Sequence, residues 1–269
     1  DMDYSMTVPG VSRFRVNAFL QRGSVAMVFR VLSTSVPTIE SLNLPPVIKE
    51  LCKIKEGLIL VTGPTGSGKS TTMASIINEI NLNKGGHVLT LEDPGEYVFK
   101  HEKCIVNQRE IGQDSKSYAR ALKASLREDP DVIFIGEMRD IESISIAVTA
   151  AETGHLVLST LHTLGAAKTL DRLIDVFPAD QQQQIRIQVS SALKAVISQR
   201  LIPDIERKGR IAAFEIMIVT PAISNLIREG KAAGINSFIQ TGFNQGMQLI
   251  DRHIADLYEQ GKISKEDAY

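Results

Sequence analysis

The sequence predicts an α/β fold with a parallel sheet, on three observations. Short, wholly apolar runs recur through the middle of the chain, and each is followed by a segment of helical spacing. The runs lack polar alternation, as do strands covered on both faces. The first run leads straight into Gly63-Pro64-Thr65-Gly66-Ser67-Gly68-Lys69-Ser70, a glycine-rich turn with the spacing of a phosphate-cradling loop.

The elements follow in order. Phe14, Val16, Ala18 and Leu20 alternate with polar residues, and Val25, Met27, Phe29 and Val31 recur every second position. Arg22-Gly23-Ser24 lies between them, which predicts an antiparallel hairpin. A lone hairpin is rarely stable, so it belongs to a larger sheet. Residues 33–46 are polar and carry three prolines. They read as a linker, dividing a partial amino-terminal domain (1–46) from a second domain (47–269). Strands are predicted at Gly57–Thr62, His87–Glu92, Asp131–Gly136 and Leu156–Leu161. Helices are predicted through Ala74–Ile80, over Ser117–Arg127, and after an Asp140 cap. From Pro178 onward helices dominate. Ile185, Val189, Ala192, Val196 and Ile197 recur at helical spacing, Thr220-Pro221 starts a helix that Gly230 ends, and Met247–Gln260 is a last full helix. Both ends read as cut. Ser264-x-x-Asp267 opens a helix that Tyr269 cuts short.

Composition narrows the classes. The 269 residues carry a formal charge of −1, which does not indicate a strongly basic nucleic-acid binder. Aromatic residues are 5% and Trp is absent, which weakens any channel that stacks single-stranded bases. Cys52 and Cys104 form no C-x-x-C pair, so neither a disulfide framework nor a cysteine zinc site is indicated. That suits a reducing compartment. No uncharged apolar run reaches the ~18 residues of a membrane span, and the polar start resembles no signal peptide.

The loop carries the clearest chemistry. Its glycines let backbone N–H groups turn inward onto phosphate oxygens at a helix N-terminus. Lys69 is placed to reach the β- and γ-phosphates of ATP, and Ser70 to bind the Mg2+ ion between them. Carboxylates at the carboxyl ends of neighbouring strands supply the remaining needs, orienting water and holding the metal or its water shell. Glu96 and Glu137 are the candidates. His155 and His162 bracket one strand, and their spacing puts them on opposite faces, against a two-histidine metal site. Each reads equally as a core or surface histidine and as a phosphate sensor. Arg13, Arg15, Arg22 and Arg30, with Arg120, Arg127 and Arg139, offer guanidinium forks for phosphate. Of these, Arg120 and Arg127 are assigned to the nucleotide.

Taken together, these motifs resemble the secretion-superfamily ATPases, specifically the twitching-motility (PilT-like) type that retracts type IV pili. GPTGSGKST at 63–71 matches that family's Walker A motif, and LEDPGEY at 91–97 its aspartate box. REDPDVIFIGEMRD at 127–140 matches its Walker B region, and TGHLVLSTLHT at 153–163 its histidine box. The resemblance covers essentially the whole chain. It implies a RecA-like P-loop core with carboxyl-terminal helices, preceded by the remnant of a PAS-like α+β domain. Glu96 would activate water, Glu137 would act through Mg2+, and Lys69 would stabilise the phosphate. Gly63, Pro64, Thr65, Gly66, Ser67, Gly68, Ser70, Thr71, His155 and His162 would contact the nucleotide. It further implies a homohexamer whose arginines complete each site, cytoplasmic and peripheral at the inner-membrane pilus base. Its partner there would be the platform protein. Gly95 departs from the family's usual apolar residue, which frees the backbone beside Glu96. Ser224 departs from an arginine in the AIRNLIRE-like segment at 222–229, a segment that points to retraction. The scattered cysteines argue against the extension and type II secretion relatives, which carry a four-cysteine motif.

Overall fold

The computed structural model describes residues 2–33 and 35–268. The chain opens with three antiparallel strands in sequential order, β1 (Met2–Val8), β2 (Ser12–Gln21) and β3 (Ser24–Leu32). The expected hairpin is β2–β3, with Phe14 opposite Val31 and Gln21 opposite Ser24. Arg22 and Gly23 both take positive φ (48° and 79°), as a two-residue turn between twisted strands requires. The sequence reading did not assign β1, whose seven residues carry only weak alternation. No helix accompanies this sheet within residues 2–33.

The prolines of the following segment do not leave it loose. Thr38 and Ser41 each donate a backbone N–H to the other's hydroxyl, at 3.0 and 3.1 Å. Ile39 and Leu44 are buried with Ile48 and Leu51 of the short helix α1 (Val47–Leu51). All four belong to a core cluster of the second sheet, so this part of the segment packs onto the core.

That second sheet has seven strands: β4 (Gly57–Thr62), β5 (Gly86–Glu92), β6 (Cys104–Glu110), β7 (Val132–Ile135), β8 (Leu156–Leu161), β9 (Leu193–Pro203) and β10 (Arg210–Ile218). Their spatial order is β10-β9-β4-β8-β7-β5-β6. Every pairing is parallel except β9–β10, so the sheet is mixed where an all-parallel one was expected. The wholly apolar runs behave as anticipated. Leu58 and Leu60 face one cluster, Ile59 and Val61 the other, and helices cover both.

The helices are α2 (Lys69–Asn83), α3 (Tyr118–Ser125), α4 (Ile141–Glu152), α5 (Ala166–Asp175), α6 (Gln182–Ala192), α7 (Pro221–Arg228), α8 (Ile235–Thr241), α9 (Ile250–Glu259) and α10 (Lys265–Ala268). Four begin on side-chain caps that satisfy otherwise orphaned N–H groups, one of them Ser264, which accepts from Asp267 N at 3.2 Å ahead of α10. Ser117 accepts from Arg120 N, Asp140 from Ser143 N and Thr220 from Ile223 N.

The carboxyl-terminal half departs from expectation. Val196 and Ile197 continue no helix, since α6 ends at Ala192 and β9 starts at Leu193. The apolar spacing of 185–197 fits a helix face and a buried strand alike, and pairing of β9 beside β4 decides for the strand. The β9–β10 hairpin and the edge strand β6 were both missed. The last full helix is shorter than expected, Ile250–Glu259 rather than 247–260.

Candidate functional site

Four neighbouring parallel strands, β4, β8, β7 and β5, end at the same edge of the sheet. Lys69 follows β4, His162 follows β8, Glu137 follows β7 and Glu96 follows β5. Ligands gather at this edge in open parallel sheets. Here all four side chains line one cleft of ≈ 660 Å³, shared with Arg15 and Arg30 of the amino-terminal sheet.

The loop's shape depends on two glycines. Gly63 has φ +146°, and a Cβ there would lie 2.3 Å from the Gln199 carbonyl oxygen. Gly68 has φ +88° and forms the left-handed entry to α2. Between them Ser67 O accepts from Gln199 Nε2 at 2.5 Å, which ties the loop to β9. Among the described residues Ser67 Oγ is a buried oxygen without a hydrogen-bond partner. Gly66, Gly68, Ser70 and Thr71 face the cleft at the start of α2, where amides and hydroxyls suit an anion.

Lys69 is nearly buried, and its Nζ donates to the carbonyls of Gly63 (2.9 Å) and Pro64 (3.0 Å). Burial lowers its pKa, while the Glu137 and Glu96 carboxylates act to raise it. Its third contact is His162 Nδ1 at 3.4 Å. A lysine ammonium only donates, so Nδ1 is the accepting nitrogen. The Nε2 proton then points to Glu137 Oε1, 3.3 Å away. Glu137 Oε2 also takes Arg139 Nη2 at 2.7 Å. Burial opposes ionisation of Glu137, but Arg139 and His162 outweigh it and hold its carboxyl below the usual range.

The aspartate-box turn, 92–97, hangs from β5. Glu92 is half-buried at its start, and desolvation raises its pKa against bonds from Thr90 Oγ1 (2.7 Å) and Gln108 Nε2 (3.3 Å). Gln108 Nε2 also donates to Tyr97 O at 2.9 Å, closing the turn behind Glu96. Tyr97 reaches Thr71 Oγ1 at 3.2 Å, joining the turn to the loop helix.

Not every expected residue arrives here. His155 lies at the amino end of β8, where its Nδ1 meets Ala150 O at 3.1 Å. A strand of that length puts it ~20 Å from the phosphate loop. Arg120 and Arg127 are exposed and do not line the cleft. Arg15, Arg30, Arg139 and Arg210 do. Arg15 and Arg30 reach it from the amino-terminal sheet, Arg139 from the loop after β7 and Arg210 from the start of β10.

It also missed three polar residues of the hairpin. Ser198 Oγ accepts from Gly165 N (2.9 Å), and Glu215 Oε1 accepts from Ala166 N (2.7 Å). With Gln199 they brace the loops on either side of the cleft. Their signal is polarity inside an otherwise apolar strand, level with Thr62 at the end of β4.

A glycine-rich loop entering a helix beside strand-end carboxylates, on a sheet covered on both faces, defines a P-loop ATPase. Residues 5–267 match the model of the Type II/IV secretion system protein family, and the chain belongs to that family. It is 53% identical over 268 residues to the type IV pilus retraction ATPase PilT of Pseudomonas aeruginosa, spanning 100% of this chain and 78% of that protein. It is 51% identical to a twitching motility protein of Neisseria gonorrhoeae, over 100% of this chain and 72% of that one. A crystal structure of the pilus retraction motor PilT with bound ADP matches with a TM-score of 0.93 at 55% identity. That match covers 99% of this chain and 76% of the other.

Proposed function

We propose that this chain is a motor that couples ATP hydrolysis to type IV pilus retraction. One observation carries the reading. Lys69, Glu96, Glu137 and His162 converge from four adjacent strand ends on a cleft whose far wall bears Arg15 and Arg30. Closure of such a cleft on a nucleotide moves one sheet against the other. The pilus enters through the relatives, which carry the function in their names.

In this reading the loop amides and Lys69 hold the phosphates, and Glu96 orients the attacking water. Glu137, kept ionised by Arg139, draws the His162 proton and fixes the ring beside the γ-phosphate. Arg15 and Arg30 offset charge on the transferring phosphoryl group. The donor set fits Mg2+, which takes few protein ligands and keeps phosphate oxygens and waters. Ser70 would hold it and Glu137 its water shell, and the ion would neutralise phosphate charge. We read the core as RecA-like, and the amino-terminal sheet as the last strands of a PAS-like domain, with the division after residue 46. A homohexamer, cytoplasmic at the inner-membrane pilus base and acting on a platform protein, completes the proposal. No helix among the described residues is long and apolar enough to cross a membrane.

Deletion of the gene tests the direction of the motor. Hyperpiliated cells that no longer twitch support retraction, whereas bald cells support extension and overturn the proposal.

A further inference from the structure

Glu110 ends β6, opposite Glu92 in the parallel ladder. Its Oε1 accepts three bonds from three different segments. Ser5 Oγ of β1 donates at 2.5 Å, Arg13 Nη2 of β2 at 2.9 Å and the backbone N–H of Gly95 at 3.3 Å. Arg13 Nη2 also lies 2.6 Å from Ser5 Oγ, so the two donors brace each other. The Arg13 and Glu110 side chains are 20% and 13% exposed, which shields the pair from the screening that weakens surface ion pairs. Gln113 Nε2 holds the other oxygen at 3.0 Å, and Asp114 Oδ2 accepts from Glu110 N at 2.8 Å. The carboxylate is therefore fixed from its own side as well.

The two ends of this contact matter. Gly95 directly precedes Glu96. Arg13 lies two residues from Arg15, on the same face of β2, and Arg15 pairs in register with Arg30. One oxygen thus joins the strand that presents the cleft arginines to the turn that presents Glu96. The glycine at 95 does not leave that turn loose, because its N–H is spoken for. A Cβ there would sit 3.4 Å from Glu110 Oε1, an ordinary contact, so the bond depends on the amide and not on a missing side chain.

We propose that Glu110 is a positioning residue for ATP hydrolysis. It sets the register of the amino-terminal sheet against the 92–97 turn, so that Arg15, Arg30 and Glu96 address the nucleotide as one unit. The proposal rests on Glu96 as the water-orienting carboxylate.

The test uses the purified full chain with ATP, and compares steady-state kinetics, thermal melting and binding of a fluorescent ADP. Glu110→Ala should lower kcat about tenfold, as expected for a slightly misplaced reacting group, with KM and ADP affinity within about twofold of the parent. The exchange Arg13→Glu/Glu110→Arg separates positioning from tethering. It restores an ion pair and the melting temperature, but an arginine cannot accept from Gly95 N, so kcat should stay low. If Glu110→Ala keeps the parent kcat, or if the exchange recovers it, the positioning role is wrong. Glu96→Gln is the reference arm. Turnover at the parent rate there removes Glu96 itself, whereas an inactive Glu96→Gln beside a fully active Glu110→Ala removes only the role of Glu110.

Discussion

Glu215 gives the sharpest stability prediction. Its side chain is buried on β10, and Oε1 accepts from Ala166 N at the first turn of α5. Replacement by alanine leaves that buried N–H without a partner, which costs about 1–3 kcal/mol. It also removes a negative charge from a helix N-terminus, worth roughly 0.3–1 kcal/mol. Relief of the desolvated carboxylate offsets part of this, leaving a net of about 2 kcal/mol. For a chain of this size each kcal/mol moves the melting temperature by roughly 2–4 °C, so Glu215→Ala should melt about 4–8 °C lower. Glu215→Gln keeps an accepting oxygen and loses only the charge, so it should fall by roughly 1–3 °C. Scanning fluorimetry on both variants decides. If the alanine variant melts within 1 °C of the parent, or the glutamine variant falls as far as the alanine one, the capping argument fails.

Three further outcomes follow from the same geometry. Glu137→Gln removes the charge proposed to hold the metal's water shell and to fix His162, so it should reduce ATPase kcat by about 10²–10³-fold, the usual cost of losing one preorganised electrostatic contact, and a phosphate-release assay measures it. Gly63→Ala forces a Cβ against the Gln199 carbonyl at a φ that disfavours side chains, so it should destabilise by roughly 2–4 kcal/mol and weaken ADP binding, read by melting and by titration. Burial lowers the His253 pKa below its ordinary value of 6.5, and its Nδ1 accepts from Phe214 N at 2.9 Å. Below that value the unfolded chain binds a proton that the folded chain refuses. The stability from His253 is therefore full above pH 6.5 and is lost as pH falls through the depressed folded value. The melting temperature should drop between pH 7.5 and 5.5, and less steeply in His253→Asn, whose amide accepts the same bond without titrating.

What was legible in the sequence was local. The phosphate loop needs its glycines and lysine at fixed spacing, so Gly63 to Thr71 announce themselves, and strand ends follow from the apolar runs. Caps at Ser117, Asp140 and Thr220 were legible or nearly so, because a cap is settled within three residues. The β9–β10 hairpin was not, because Ile185 to Ile197 satisfy two periodicities and only the partner strand breaks the tie. The arginines were illegible for a related reason. Arg120 and Arg127 stand near the motifs in the chain yet do not line the cleft, whereas Arg139, equally near, and the distant Arg15, Arg30 and Arg210 do. His155 shares a motif with His162 and ends up at the opposite end of β8.

The four strand-end groups share no loop. Each hangs from its own strand, and adjacent strands stand ~4.8 Å apart whatever their connections do. The sheet is thus a fixed gauge on which Lys69, His162, Glu137 and Glu96 are separate marks. Replacing one leaves the strand positions of the other three unchanged, although His162 touches both Lys69 and Glu137, so single variants can be compared on a common backbone frame. Arg15 and Arg30 are not on that gauge. They ride on the three-stranded amino-terminal sheet, tied to the 92–97 turn through Glu110, so their reach to Lys69, Glu137 and His162 is set across the cleft and not by strand spacing.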